Sequence, residues 1–289
     1  MSAKAKCKHG GPTLDNGNCT IPGPDGLPVQ CVGIWATDKH HYLRQYIAAT
    51  KGVRAKYLEP QGHGGAAFID IFAGPGMVRV RDTGEVHPGS PLVALQHREA
   101  PFSKLVFADR DPANVAALQA RTASDAARVK IIPGDSNANI DQIASQIPEY
   151  GLNIALVDPF ALSALKFRTL ERLGRLPRMD LIIHFPTGDI KRNVKQNENT
   201  RQWLTEALGT DSWMTTFTSM KDIGRLIELF KEQLSSLGYG SMSVPSEPIK
   251  NNQNLPLYYL VYASKHDRGD AIWKSITKNT PTGQRGMGF

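Results

Sequence analysis

The stretch FIDIFAGPG, residues 68–76, sets apolar residues around one acid and then bends through Ala73, Gly74, Pro75 and Gly76. The run AAFIDIFA reads as a short buried strand closed by a turn of small residues. Such residues let backbone approach a ligand closely, and glycine supplies the positive φ that a tight exit needs. The turn is not of the G-x-G-x-x-G kind, because AGPGMV lacks the third glycine and puts Pro75 between the other two. No G-K-[ST] follows it, which excludes a phosphate loop of the Walker type.

Working outward, strand and helix patterns alternate. KLVFADRD, VKIIPGD, NIALVDPF and MDLIIHFP read as further strands. GSPLVALQHREA, PANVAALQARTAS, NANIDQIASQI and ALKFRTLERLGRL read as helices, two of them with Pro in the first turn. Upstream, DKHHYLRQYIAATKGVRAKYLE has helical spacing with Asp38 as expected N-cap. Downstream, PLYYLVYASKHDRGDAIWKSITK reads as strand, turn and helix. This alternation predicts an α/β fold: a doubly wound, mostly parallel sheet over residues 35–289, with a helical insertion around 198–238. Residues 1–34, rich in Gly and Pro, are expected to form an irregular N-terminal arm.

The 289 residues suffice for one large α/β domain with additions. There is no apolar run of about 18 residues to cross a membrane, and the lysines near Met1 precede no apolar stretch of a secretory signal. Three widely spaced cysteines argue against a disulfide framework and for the cytoplasm. The net charge of +7 is concentrated at the ends. Residues 1–60 hold eight Lys/Arg against four Asp/Glu, and residues 250–289 hold six against two. Basic ends on a near-neutral middle suit either a nucleic-acid footprint or plain solubility.

In open parallel sheets ligands bind beyond the carboxyl ends of the strands. Those ends carry, in order, Asp70 with its glycine turn, Asp109, Gly134-Asp135-Ser136 and Asp158-Pro159-Phe160. An acid at Asp109 can accept both hydroxyls of a ribose, and the polar turn at Asp135 and Ser136 can meet an adenine edge. The pattern points to a nucleoside cofactor. A plain strand-to-loop turn is the alternative for the glycines alone.

FIDIFAGPG, FADRDP, GDSN and VDPF resemble the successive motifs of class I S-adenosylmethionine-dependent methyltransferases. VGIWATDKHHYLRQYIAAT, GSPLVAL, ALVDPFAL and YYLVYASKH further resemble the three-Cys-motif partner (TcmP) proteins, over about residues 32–275. The resemblance implies a Rossmann-like methyltransferase fold and S-adenosylmethionine as cofactor. It implies cofactor contacts from Asp70, Phe72, Ala73, Gly74, Pro75, Gly76, Asp109, Arg110, Asp135 and Ser136. Lys39, on the upstream helix, is expected near the cofactor's carboxylate. A three-Cys-motif protein similar to radical S-adenosylmethionine enzymes is the implied partner.

The tripeptide Asp158-Pro159-Phe160 resembles the D-P-P-[FY] motif of methyltransferases acting on exocyclic amines of bases. By that resemblance Asp158 polarises the amine, Pro159 offers its carbonyl and Phe160 stacks on the base. The second proline of that motif is missing here. Cytosine C5 chemistry needs a cysteine at a strand end, and no cysteine follows Cys31. The loop HFPTGDIKRNVKQNENTRQW, with Lys191, Arg192, Lys195, Arg201 and Trp203, suits phosphate contacts or a solvated surface equally. Cys7, His9, Cys19 and Cys31 are zinc candidates by residue type, although they lack C-x₂₋₄-C spacing. Three functions remain open: a base methyltransferase of DNA or RNA, a partner subunit that keeps the fold without turnover, and a Rossmann oxidoreductase, which the turn sequence disfavours.

Overall fold

A computed structural model describes residues 19–187, 190, 198–217, 223–240, 248–250 and 256–278. The chain enters it through strands β1 (Cys19–Pro22) and β2 (Pro28–Val32), then helices α1 (Trp35–Ala49) and α2 (Lys51–Ala55). Next come β3 (Ala66–Asp70), β4 (Met77–Val80), β5 (Val86–Pro88), α3 (Ser90–Leu95) and β6 (Lys104–Asp109). Helix α4 (Pro112–Arg121), β7 (Val129–Pro133), α5 (Ile140–Ala144), β8 (Leu152–Val157), α6 (Phe167–Gly174) and β9 (Met179–Pro186) come after these. Helices span Glu198–Leu208, Trp213–Thr216 and Ile223–Ser236, before β10 (Pro248–Lys250), β11 (Pro256–Ala263) and a last helix over Asp267–Thr277.

The main sheet has seven strands in the order β10-β11-β9-β8-β3-β6-β7. Strands β9, β8, β3, β6 and β7 pair in parallel, and β11 runs antiparallel to β9. This is the doubly wound, mostly parallel sheet predicted from the alternation of patterns. In β3 every residue is buried, so the two faces alternate with period two. Ala66 and Phe68 pack with Leu43, Tyr46, Leu92 and Trp273, from α1, α3 and the last helix. Ala67 and Ile69 pack on the other face with Ile143, Leu170, Leu204 and Phe230. Each large apolar side chain sealed in this way contributes about 1.5–3 kcal/mol. The helices between 198 and 236 thus cover a face of the main sheet rather than a core of their own.

Three sequence expectations change. Helix α1 begins at Trp35 with Ile34 as N-cap, and Asp38 lies within its first turn. There a carboxylate still favours the helix through the dipole rather than through a cap. Residues 19–32, expected to be irregular, form a hairpin whose register pairs Cys19 with Cys31. With β4 and β5 this hairpin makes a second sheet, ordered β1-β2-β4-β5. Its strands are three to five residues long, too short for periodicity to betray them. Finally, Cys19 is disulfide-bonded, against the expectation from wide cysteine spacing, while Cys31 is a free, buried thiol. A disulfide sulfur is no thiolate ligand, so the four-ligand zinc reading loses Cys19; Cys7 and His9 lie outside the described residues. Among the described residues no group of His, Cys, Asp and Glu is arranged to hold a metal, and no helix is long and apolar enough to cross a membrane.

Candidate active site at the carboxyl edge of the sheet

From β3 the chain winds outward to β6 and β7, then returns across β3 to β8 and β9. The switch point, where a crevice opens in such sheets, therefore lies between β3 and β8. Asp70 pairs with Phe107 on one side and Leu156 on the other. Asp109 and Asp158 stand two residues beyond those partners, so both flank the turn that follows Asp70.

The turn is tightly built. Gly74 and Gly76 have φ of 62° and 87°, a region costly for residues with a Cβ. The Ala73 amide donates to the Ala108 carbonyl at 2.9 Å, and the Gly74 amide to Oδ2 of Asp109 at 2.8 Å. Arg121 Nη1 donates to the Pro75 carbonyl at 2.6 Å. A Cβ on Gly76 would lie 2.9 Å from Leu118 Cδ1. The turn does not run into a helix. It feeds β4, and the Gly89 amide returns to the Gly76 carbonyl at 2.8 Å, closing residues 77–88 into an inserted excursion before α3.

Asp70 is wholly buried. Its Oδ1 accepts the Phe72 amide at 3.1 Å, whereas among the described residues Oδ2 has no hydrogen-bond partner. Burial pushes this carboxyl up to about 7, against the pull of Ser90, and the nearby charge of Asp158 adds to the rise. A carboxylate so placed costs free energy until a donor or cation meets it.

Asp109 first braces its surroundings. Besides Gly74, it accepts the Asp111 amide at 2.9 Å and Asn114 Nδ2 at 3.1 Å. Three of its roughly four acceptor positions are used, and one remains for a ligand hydroxyl. Arg110 beside it is exposed. Asp135 is exposed and accepts the Ala138 amide at 2.9 Å. Ser136 is buried, and its hydroxyl donates to the Ile71 carbonyl, tying the loop after β7 to the glycine turn. Phe72 is half-buried against the core.

The Asp158 group is the most connected. Lys39 of α1 reaches its Oδ2 in an ion pair, where Lys39 was expected to await a cofactor carboxylate. Burial pushes the Asp158 carboxyl up, and the Lys39 ammonium together with His184 and His40 more than reverses this, holding it below the usual range. His184 of β9 places Nδ1 3.1 Å from Asp158 Oδ1 and hydrogen-bonds the Pro159 carbonyl at 3.2 Å. Its ring meets Tyr258 edge to face at 4.2 Å. Pro159 is buried, and Phe160 is 47% exposed.

His184 and Arg121 were missed from sequence. For His184 a signal existed: it is the lone polar residue in LIIHFP, near the carboxyl end of a buried strand. For Arg121 there was none, since an arginine ending a helix is ordinary. Of the basic loop, Lys191, Arg192 and Lys195 lie outside the described residues, while Arg201 is exposed on a helix and Trp203 is half-buried there. The hollow of about 270 Å³ bounded by Asp25, Met77, Leu92 and Arg121 includes none of Asp70, Asp109, Asp158 or Phe160 in its lining.

No family model matches the chain, and no curated protein matches it. Solved structures do. A Legionella pneumophila protein of family DUF519 superposes with a TM-score of 0.51 at 10% identity, covering 88% of this chain and 95% of that one. The fold is Rossmann-like. At lower similarity stand the methyltransferase domain of bacterial CtHen1 (TM-score 0.41, 14% identity, 79% and 99% covered) and M. jannaschii TYW2 in complex with AdoMet (0.40, 10%, 86% and 84%).

Proposed function

We propose that this protein is an S-adenosylmethionine-dependent methyltransferase acting on an exocyclic amine of a nucleic-acid base. One observation carries the reading: Asp158, Pro159 and an exposed Phe160 close β8 at the switch point, beside a buried Asp70 whose Oδ2 lacks a partner among the described residues. The residues fit the cofactor. Asp70 offers an unmet acceptor to an ammonium, the turn at Gly74 and Gly76 offers bare backbone, and Asp109 keeps a lone pair for a ribose hydroxyl. Asp135, exposed one strand further out, is available to the adenosine.

When bound, S-adenosylmethionine supplies an electrophilic methyl group on a sulfonium. The chain's own part is position and charge. Phe160 offers a stacking face, worth about 1–3 kcal/mol per base. The Pro159 carbonyl has a second lone pair beyond the one used by His184, and it accepts an amine N–H. Asp158, ionised and oriented from both sides, stabilises the positive charge that grows on the substrate nitrogen. The finer assignment, to TcmP proteins working with a radical S-adenosylmethionine-like partner, is part of this proposal and rests on the motif resemblance. The nucleic-acid partner is supported by the base-amine tripeptide and by the basic ends.

A second reading, a binding subunit without turnover, is favoured by the occupation of Asp158 by Lys39 and His184. Calorimetry with S-adenosylmethionine and with NAD, followed by labelled-methyl transfer to DNA and RNA, separates the readings. Methyl transfer that Asp158→Ala abolishes while cofactor binding persists supports the enzyme. Cofactor binding without transfer supports the subunit, and binding of NAD alone overturns both.

A further inference from the structure

Gln30 of β2 lies against the glycine turn. Its Oε1 stands 3.0 Å from the point where residue 74 would carry a Cβ, so the contact exists because residue 74 is glycine. The amide of the same Gly74 donates to Asp109 Oδ2 at 2.8 Å. A carboxamide from the small sheet and a carboxylate from the main sheet therefore flank one glycine. Among the described residues the half-buried Gln30 carboxamide makes no hydrogen bond, and neither of its polar atoms is sealed. A ligand laid on the bare face of Gly74 meets this open group.

The backbone that carries Gln30 is held firmly. Gln30 pairs with Thr20 of β1 on one side and with Val78 of β4 on the other. Arg121 Nη1 donates to the carbonyls of both Pro28 and Pro75, at 2.8 and 2.6 Å, and so ties the start of β2 to the turn. Little ordering is left for a ligand to impose.

Resting on the methyltransferase reading, we propose that Gln30 is a cofactor contact: its carboxamide NH₂ donates to the ribose hydroxyl whose hydrogen Asp109 accepts. A hydroxyl has one hydrogen to give and two lone pairs to fill, and a carboxylate takes the hydrogen but gives none back. Residues 73–75 of the turn supply no donor either. The amides of Ala73 and Gly74 are engaged by Ala108 and Asp109, and Pro75 has no N–H. The Asp111 amide and Asn114 Nδ2 are likewise directed to Asp109 itself. Gln30 brings the missing donor from outside the parallel sheet. A half-turn about its last side-chain bond exchanges oxygen and nitrogen, so the NH₂ reaches the place the oxygen now holds. The β1–β2 hairpin thereby becomes part of the cofactor site.

Calorimetry of the full chain with two ligands tests the contact: S-adenosylhomocysteine, and methylthioadenosine, which keeps the ribose but lacks the amino-acid end. Gln30→Leu and Gln30→Glu both remove the donor, the second at nearly the same shape. Each is expected to weaken both ligands about tenfold at an unchanged urea midpoint. A loss confined to S-adenosylhomocysteine would put the carboxamide at the amino-acid end, and unchanged or tighter binding of both would make it a mere filler of the turn; either result overturns the proposal. A second readout uses wild type alone and so does not depend on a variant folding. In ¹H–¹⁵N NMR the Gln30 side-chain NH₂, assigned through its own backbone, should shift and exchange more slowly with water when methylthioadenosine saturates the protein. A signal that does neither overturns the assignment. A wild type that binds neither ligand marks failure of the cofactor reading itself, and the role of Gln30 falls with it.

Discussion

The amide of Gly74 donates to Oδ2 of Asp109 at 2.8 Å, across 35 positions of sequence. The acid expected to hold a ribose is thus also the brace that sets the glycine turn. Asp109→Ala strips the acceptor from Gly74, Asp111 and Asn114 together. The variant is expected to lose about 2–3 kcal/mol of unfolding free energy and to bind S-adenosylmethionine about tenfold more weakly. Urea denaturation and calorimetry measure the two; unchanged values in both would remove Asp109 from the brace and the site.

Asp70 makes stability depend on pH. Its folded value is about 7, against about 3.9 for an ordinary aspartate. Between these limits the native state holds a proton that the unfolded chain has released, so the contribution of Asp70 falls as pH rises from about 4 to 7, by up to about 1.4 kcal/mol per unit. Asp70→Asn keeps an uncharged side chain of the same shape. Its stability relative to wild type is expected to climb across that window and level off above it. A difference that stays flat with pH would contradict the burial argument.

The same carboxyl couples cofactor to protons. If the ammonium of S-adenosylmethionine meets Asp70, binding at about pH 6 ionises a group that was largely protonated. Calorimetry in two buffers of different ionisation enthalpy should then read about one proton released. Asp70→Asn should abolish that release, and a wild type that releases none places the ammonium elsewhere.

Phe160 is exposed where a structural aromatic would be buried. Phe160→Ala is expected to change unfolding free energy by no more than about 0.5 kcal/mol, yet to weaken nucleic-acid binding about tenfold or more. Binding to a short labelled oligonucleotide reads the second effect. A large loss of stability with unaltered binding would return Phe160 to the core.

Arg121 joins the small sheet to the site. It pairs with Asp25 through Nε and Nη2 at 2.8 and 2.9 Å, and Nη1 also donates to the Pro28 carbonyl at 2.8 Å. Together with its bond to Pro75, these link the β1–β2 hairpin to the glycine turn. Arg121→Ala should cost about 2–3 kcal/mol and speed hydrogen exchange in both the hairpin and residues 73–76. Exchange that quickens in the hairpin alone would show that the turn stands without it.

Much of the architecture is legible locally. The strand at 66–70 is four apolar residues closed by Asp70, and α4 opens with Asp111 accepting the Ala113 amide and Pro112 in its first turn. Such signals act over a few residues, so period and capping expose them. The second sheet is different: β4 pairs with β2 although β3, the first strand of the main sheet, lies between them in sequence, and its strands have no room for a repeating pattern. Likewise Ser136 sits at a strand end as expected, but its hydroxyl is directed to the Ile71 carbonyl.

Neighbouring residues by themselves determine the alternation of strands and helices, and with it the acids that fall at consecutive strand ends. Backbone geometry repeats every few residues, so the order of side chains suffices to place them. Which acid is free and which is engaged is a matter of contacts between distant segments. Lys39 meets Asp158 over 119 positions, and His184 reaches Pro159 over 25. Only the winding of the sheet brings these side chains within hydrogen-bonding distance, and at that distance burial and charge decide their chemistry.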